Sequence, residues 1–392
     1  MQQNIWLTPE GIEDLLPPQA ARLEFYRRHL VDTFTSAGYD LVLPPVAEFT
    51  DSLLTGTGRK LALDTCRFTD NESGRMMGVR ADMTPQVARI VSNRLKPSAN
   101  AITRLCYVGE VLKSRNNKAK GSRSPIQVGA ELFGHQGIAS DIEMIDLMLS
   151  GSQALGFSNV SLSLGHVGIV QRLMNLAQLD TSNQNELVDI LKRKALPEYQ
   201  AWLDKQAFSA SLTLAFASLI TFTGEATDVL TAASQSLLGL DAELDQCLQD
   251  LNLVVDYFVG LKGIDIHLDL ADLRGFQYHT GLIFACYQAN VSSILIAKGG
   301  RYDRVCSAFG ADYPATGFSI DLRNLIDSLA DQSVTDTPVY AIFEASESWL
   351  EQVNELKISG KRVIRAYQIA DIPAGAQQLL NQDGQWVIKI KE

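Results

Sequence analysis

Cysteine is scarce and dispersed: Cys66, Cys106, Cys247, Cys286 and Cys306 are the only five in 392 residues, and no two form a C-x-x-C pair. An odd, scattered set argues against a disulfide frame or a cysteine zinc site and implies buried, reduced thiols of a cytoplasmic protein. The histidines (His29, His135, His166, His267 and His279) show no i,i+4 pairing and no neighbouring cysteine, so no metal site is expected. No apolar run approaches the roughly 18–20 residues that cross a bilayer, so no membrane association is expected. The N-terminal "MQQNIWLTPEGIEDLLPP" lacks a basic region followed by an apolar one, and no signal peptide is expected. Also missing are the G-x-x-x-x-G-K-[ST] loop, the G-x-S-x-G elbow and the G-x-G-x-x-G fingerprint. Basic charge is in short supply: 34 Lys and Arg face 45 Asp and Glu, a net charge of −11 that opposes general affinity for nucleic acid.

What is present describes a globular chain. Hydrophobic residues make up 46% and charged residues 20%, and the length calls for two or three domains. "QAARLEFYRRHLVDTFTSA" (19–37) has helical spacing and stops at Gly38; "YDLVLPPVAEF" then reads as a strand ending at a double proline. "TRLCYVG", "SPIQVGAELFG", "NVSLSLG", "IDIHLDL", "GLIFACY" and "SSILIAKGG" read as strands of one mostly antiparallel sheet. "SDIEMIDLMLSGSQALG" reads as a helix with Ser140 at its N-cap. Residues 166–262 hold long helical patterns, an insertion that divides a core of 1–165 and 263–330. After "DSLADQSVTDT", strand, helix, strand, short helix and the final strand "WVIKIK" make residues 333–392 a small α/β unit. The fold class is α+β.

Several stretches invite a ligand. "GEVLKSRNNKAKGSR" (109–123) carries five basic side chains around a glycine, as a phosphate-wrapping loop or as a solvated one. In "VRADMTPQVARI", Asp82 and Thr84 are two apart and share a face if the segment is extended, suiting an ammonium group; a helix start near Pro85 is the alternative. In "IQVGAELFG", alternation puts Gln127, Gly129 and Glu131 on one face, toward a ligand or toward solvent at a sheet edge. "LRGFQYHTGLIF" sets Arg274, Tyr278 and His279 in a glycine-flanked loop fit to hold a carboxylate and a ring, or to make a turn. "GGRYD" (299–303) and "PATGFSIDLRNLI" (314–326) offer glycines for close backbone approach or for packing.

In chain order, with the helical insertion between "IQVGAELFG" and "LRGFQYHTGLIF", these stretches resemble class II histidyl-tRNA synthetases over roughly residues 5–328. "TPEGIEDLLPPQA" resembles that family's N-terminal segment, "GEVLKSR" with "SRSPIQVGAELFG" its motif 2, "LRGFQYHTGLIF" its histidine signature and "GFSIDLRNL" its motif 3. The resemblance implies a class II synthetase-like antiparallel sheet flanked by helices. It also implies a histidine pocket of Asp82, Thr84, Gln127, Glu131, Arg274, Tyr278 and His279, with Asp82 a shortened acid, Gln277 in place of an acid and His279 in place of a second tyrosine.

The nucleotide side departs from that family. Lys113 stands at the arginine that grips the α-phosphate, and a lysine lacks the bidentate fork. Arg115 replaces an acid, Asn324 takes the place of the motif 3 arginine with Arg323 one position away, and Asp321 replaces a glycine. A carboxylate there repels a triphosphate. A kept amino-acid pocket beside a degraded nucleotide site is similar to the ATP phosphoribosyltransferase regulatory subunits of histidine biosynthesis, paralogues of the synthetases. That likeness implies a non-catalytic chain without cofactor, activating a short-form catalytic subunit and mediating feedback inhibition by L-histidine, as a homodimer within a hetero-octamer. No hydrophobic-D-D-x-x-x-T-G loop for phosphoribosyl pyrophosphate is present. A histidine-tRNA ligase and a histidine-binding module serving another partner are the alternatives.

Overall fold

The computed structural model describes residues 7–56, 59–98, 101–115, 122–291, 294–331 and 337–391. The chain starts with α1 (Gln19–Ser36), β1 (Asp40–Leu41), β2 (Ala47–Phe49), α2 (Thr50–Leu53), α3 (Arg59–Asp64), β3 (Cys66–Thr69) and β4 (Met76–Val79). Next come α4 (Thr84–Ile90), β5 (Thr103–Glu110), β6 (Ile126–Phe133), α5 (Ile138–Ala154) and β7 (Val160–His166). A helical stretch follows: α6 (Val167–Leu176), α7 (Thr181–Arg193), α8 (Leu196–Leu203), α9 (Ala210–Leu219), then β8 (Thr223–Glu225), α10 (Ala226–Leu237) and α11 (Ala242–Phe258). The chain then returns through β9 (Ile264–Asp269), β10 (Leu282–Gln288), β11 (Leu295–Arg301), β12 (Ala315–Asp321) and α12 (Leu322–Leu325).

Residues 1–330 form one compact unit and 331–392 a second. The first is built on a nine-stranded sheet in the order β1-β5-β6-β12-β11-β10-β7-β9-β8. Its pairs are antiparallel except β1 with β5 and β7 with β9. Strand alternation gives the sheet two unlike faces. Val128, Ala130 and Leu132 of β6 join Phe34 of α1 and Met144 of α5 in a large core that continues through Leu173, Phe216 and Leu251 of the helical stretch. The other face carries Leu105, Tyr107 and Phe133, packed with Met83, Val87 and Tyr302. That second face bears the polar residues of β6 and therefore the candidate site. A small sheet, β2-β4-β3, stands beside it.

The local rules are visible at the ends of elements. α1 gives way at Gly38, whose φ of +87° favours glycine. Asp180 and Asp241 cap α7 and α11, each accepting from backbone N–H groups of the first turn. One expectation fails here. Ser140 is not an N-cap: α5 begins two residues earlier and the hydroxyl donates to Gly137 O at 2.9 Å. In "YDLVLPPVAEF" the first strand, β1, ends before the double proline as expected, and a further strand, β2, follows it.

The C-terminal unit comprises β13 (Val339–Ile342), α13 (Glu347–Ile358), β14 (Val363–Ala366), β15 (Gln377–Gln382) and β16 (Gln385–Ile390), with sheet order β14-β13-β15-β16. The short helix expected after β14 is a 3-10 turn at Ile369–Asp371, and β15 was not foreseen. β15 and β16 form a hairpin whose turn residues Asp383 and Gly384 both have positive φ, 50° and 85°.

Candidate functional site: a two-part pocket on the polar face of the sheet

A cavity of about 1000 Å³ lies over the polar face of the large sheet. Asp82, Gln127, Arg274 and Tyr278 line it together with Asp64, Lys113, Arg115, Asp321 and Asn324, Asp321 standing opposite Gln127 across the β12–β6 pair, and Leu191, Lys192 and Lys194 at the end of α7 reach it as well.

The wall around Asp82 and Gln127 is built from α4 and β6. Thr84 is the first residue of α4 and Pro85 the second, a place where the missing N–H costs nothing. Of the two readings left open for this segment, the helix start near Pro85 is the one the structure adopts, so Asp82 and Thr84 do not share an extended face. Asp82 Oδ1 instead accepts from the backbone N of Thr84 at 3.0 Å and from Gln127 Nε2 at 3.1 Å, while Gln127 Oε1 accepts from Met83 N at 2.9 Å. These bonds lock the turn before α4 onto β6. Arg80, buried and unremarked in the sequence, ties the same turn down from behind, donating to Pro44 O and Glu110 O at 2.7 Å each.

Thr84 and Glu131 stand one layer behind the cavity wall. Thr84 Oγ1 at 2.8 Å and Tyr107 OH at 3.0 Å both donate to Glu131 Oε1. Glu131 Oε2 is buried without a hydrogen-bond partner, as are the hydroxyls of Tyr278 and Tyr302. Burial drives the Glu131 carboxyl well above its ordinary range; the donors oppose this and nearby Asp82 adds to it. Gly317, paired with Glu131 across β12, leaves the room: a Cβ there would overlap Glu131 Oε2 and the Tyr302 hydroxyl. β6 is buried along its whole length between β5 and β12, so the solvent-edge reading of this strand is excluded.

The loop between β9 and β10 forms another wall. Arg274 Nε donates to Asp272 Oδ2 at 2.5 Å, and Nη1 donates to Tyr287 OH at 2.8 Å. The Tyr278 ring stacks on Tyr302 with centroids 5.0 Å apart. His279 does not line the cavity, contrary to expectation. Its ring packs over Gly275 and Gly300, with Nδ1 3.3 Å from Arg301 O. Burial pulls its pKa down to about 4, which keeps the imidazole neutral.

Around Lys113 and Asp321 the arginines are committed elsewhere. Arg115 Nε donates to Asp64 Oδ1 at 2.8 Å. Arg323 points off the wall and donates to Glu13 O at 2.7 Å, and Arg123 donates to Lys113 O at 3.0 Å. Asp321 caps α12 through the backbone N of Asn324 at 3.4 Å and also bonds the Asn324 amide. Lys118 and Lys120 of the basic stretch lie outside the described residues. Among the described residues no group of three or more His, Cys, Asp or Glu is placed to hold a metal ion, and no helix is long and apolar enough to cross a membrane.

Sequence reasoning missed Tyr107, Asp64 and Asp272. Tyr107 was within reach, because alternation on β5 sets it opposite Gly129. Asp64 gives no such signal, since it pairs with a residue 51 positions away; Asp272 was within reach, two positions from Arg274.

Comparison with known proteins places this architecture. Residues 11–325 match the histidyl-tRNA synthetase family. A Bacillus halodurans structure described as an ATP phosphoribosyltransferase regulatory subunit/histidyl-tRNA synthetase superposes with a TM-score of 0.81 at 22% identity, covering 95% of both chains. A Nostoc histidyl-tRNA synthetase gives 0.74 at 17% identity over 93% of this chain and 88% of that one. These show a class II synthetase-like fold. In sequence, a Hydrogenovibrio crunogenus protein named ATP phosphoribosyltransferase regulatory subunit is 53% identical over 100% of both chains. A Thioalkalivibrio sulfidiphilus protein of the same name is 44% identical over 98% of each. The chain thus belongs to the histidyl-tRNA synthetase-like family and, within it, to the ATP phosphoribosyltransferase regulatory subunits.

Proposed function

We propose that this chain binds a short-form ATP phosphoribosyltransferase catalytic subunit in the cytoplasm, raises its turnover, and lowers it again when L-histidine fills the pocket at Asp82. The regulatory assignment follows from family membership; histidine as effector and a homodimer within a hetero-octamer are the further parts of the proposal. The observation that carries it is the contrast within one cavity. On one side Asp82 is held in place by Gln127 and the α4 turn. On the other, Arg115 is neutralised by Asp64 and a carboxylate, Asp321, faces the space a triphosphate would need.

In this reading Asp82 receives the α-ammonium, and Arg274 takes the α-carboxylate by exchanging Asp272 for the ligand. The imidazole enters beneath Tyr278 toward Glu131, with Thr84 and Gln127 holding the two acids in register. His279 supports the loop and is not a ligand. Linkage requires histidine to bind a less active form of the complex more tightly, since equal affinity for both forms shifts nothing. Calorimetric titration of the purified chain with L-histidine, paired with inhibition curves of the assembled complex, tests this. One saturable site whose affinity falls in Asp82→Asn is expected. Wild-type affinity in that variant would move the effector site elsewhere.

A further inference from the structure

The pocket wall between β9 and β10 carries two of the proposed ligand contacts, Arg274 and Tyr278, yet it is a loop and must be held by something rigid. Its first half is held through Arg274, which donates to Tyr287 OH of β10 at 2.8 Å. Its second half is held at Thr280. Thr280 Oγ1 donates to Asp303 Oδ2 at 2.8 Å and accepts from Asp303 N at 3.0 Å, and Thr280 N donates to Arg301 O at 2.8 Å.

The anchor itself is stiff. Asp303 Oδ1 accepts from Arg301 Nη1 at 3.1 Å and from Ala315 N, at the start of β12, at 3.2 Å. Arg301 is 9% exposed and also reaches the first turn of α5, donating to Asp141 Oδ2 at 2.9 Å and Ser140 Oγ at 2.7 Å. Between Arg301 and Asp303, Tyr302 turns to the opposite side and stacks on Tyr278. Three consecutive residues therefore grip the loop with a carbonyl, a ring and a carboxylate.

We infer that Thr280 is a positioning residue: its reciprocal hydrogen bonds with Asp303 fix Tyr278 against Tyr302 and so set the shape of the histidine pocket. This rests on the histidine reading above. Thr280→Val keeps the side-chain shape and removes the hydroxyl, leaving Asp303 N and Oδ2 without that partner; Thr280→Ser keeps the hydroxyl.

The test compares wild type, Thr280→Val, Thr280→Ala and Thr280→Ser in the full chain. L-histidine affinity is measured by calorimetry, and deuterium uptake over residues 273–281 is measured without ligand. Coupling through such networks is worth about 0.5–2 kcal/mol, or roughly 2- to 30-fold. Val and Ala are expected to lose affinity in that range and to exchange faster in the loop, with Ser close to wild type in both. Val and Ala variants that exchange like wild type would overturn the inference, as would a Ser variant as defective as Val. If wild type itself fails to bind histidine, the histidine reading and the pocket-setting role both fall, and deuterium uptake then reports only whether Thr280 orders the loop.

Discussion

Arg115 Nε donates to Asp64 Oδ1 at 2.8 Å, and the carboxylate it meets is only 8% exposed. A guanidinium committed to a nearly buried acid has little positive charge to offer an incoming phosphate. The only other arginine among the described wall residues is Arg274, assigned above to the carboxylate of the amino acid. Under the proposed function, this is the part of the cavity where a nucleotide site has lost its grip.

Histidine-dependent exchange of pyrophosphate into ATP is accordingly expected at background level for the purified chain, with no charging of tRNA. Exchange well above a protein-free control would contradict this.

Asp82→Asn should weaken histidine binding by tens-fold or more. Truncating one member of a desolvated charge pair costs about 2–5 kcal/mol. Asparagine keeps an Oδ1 to accept from Thr84 N and Gln127 Nε2, so the α4 turn should stay in place and the loss should come from the charge. Activation of the partner by the variant should match wild type. Calorimetry and partner-turnover assays read the two quantities separately.

Gly317→Ala places a methyl group against Glu131 Oε2 and the Tyr302 hydroxyl, with backbone of Ala130 behind them. Overpacking of this kind costs about 1–3 kcal/mol. A lower urea midpoint together with loss of histidine binding is expected; an unchanged midpoint would mean the carboxyl moves aside freely.

Buried titratable groups give stability a pH dependence of two opposite signs. Burial lowers His166 and His279 from 6.5 to about 4. Their contribution is fully present above 6.5 and is lost as pH falls through the folded value, because the unfolded chain then binds more protons. For His166 the shift amounts to about 3 kcal/mol at 1.36 kcal/mol per unit. Glu131, raised from 4.5, behaves the other way: its contribution is present below 4.5 and is lost as pH rises through the folded value. Urea midpoints measured from pH 4 to 8 should fall more gently on the acid side in His166→Gln. Glu131→Gln should gain on wild type as pH rises above 4.5. Parallel curves for either variant would contradict the assignment.

Much of the site was legible because it follows a two-residue period. Gln127, Gly129 and Glu131 share the face that alternation assigned them, and "GLIFACY" and "TRLCYVG" became β10 and β5. The misreadings came where local sequence was ambiguous or the deciding neighbour was remote. Pro85 is compatible with both an extended segment and a first helical turn, and the helix prevailed because Asp82 bonds the Thr84 N–H. His279 is chemically suited to a ligand, but Gly300, which makes room for its ring, lies far along the chain. "QQLLNQ" has no β-branched or aromatic residue to mark β15; the Asp383-Gly384 turn was the available signal.

The central claim is that this chain acts on a partner's chemistry and performs none of its own. Titrating it into the short-form ATP phosphoribosyltransferase catalytic subunit, with ATP and phosphoribosyl pyrophosphate saturating, tests that directly. Turnover should rise and plateau at a fixed subunit ratio, and L-histidine should bring it down. Turnover that stays flat at saturating ratio would contradict the account.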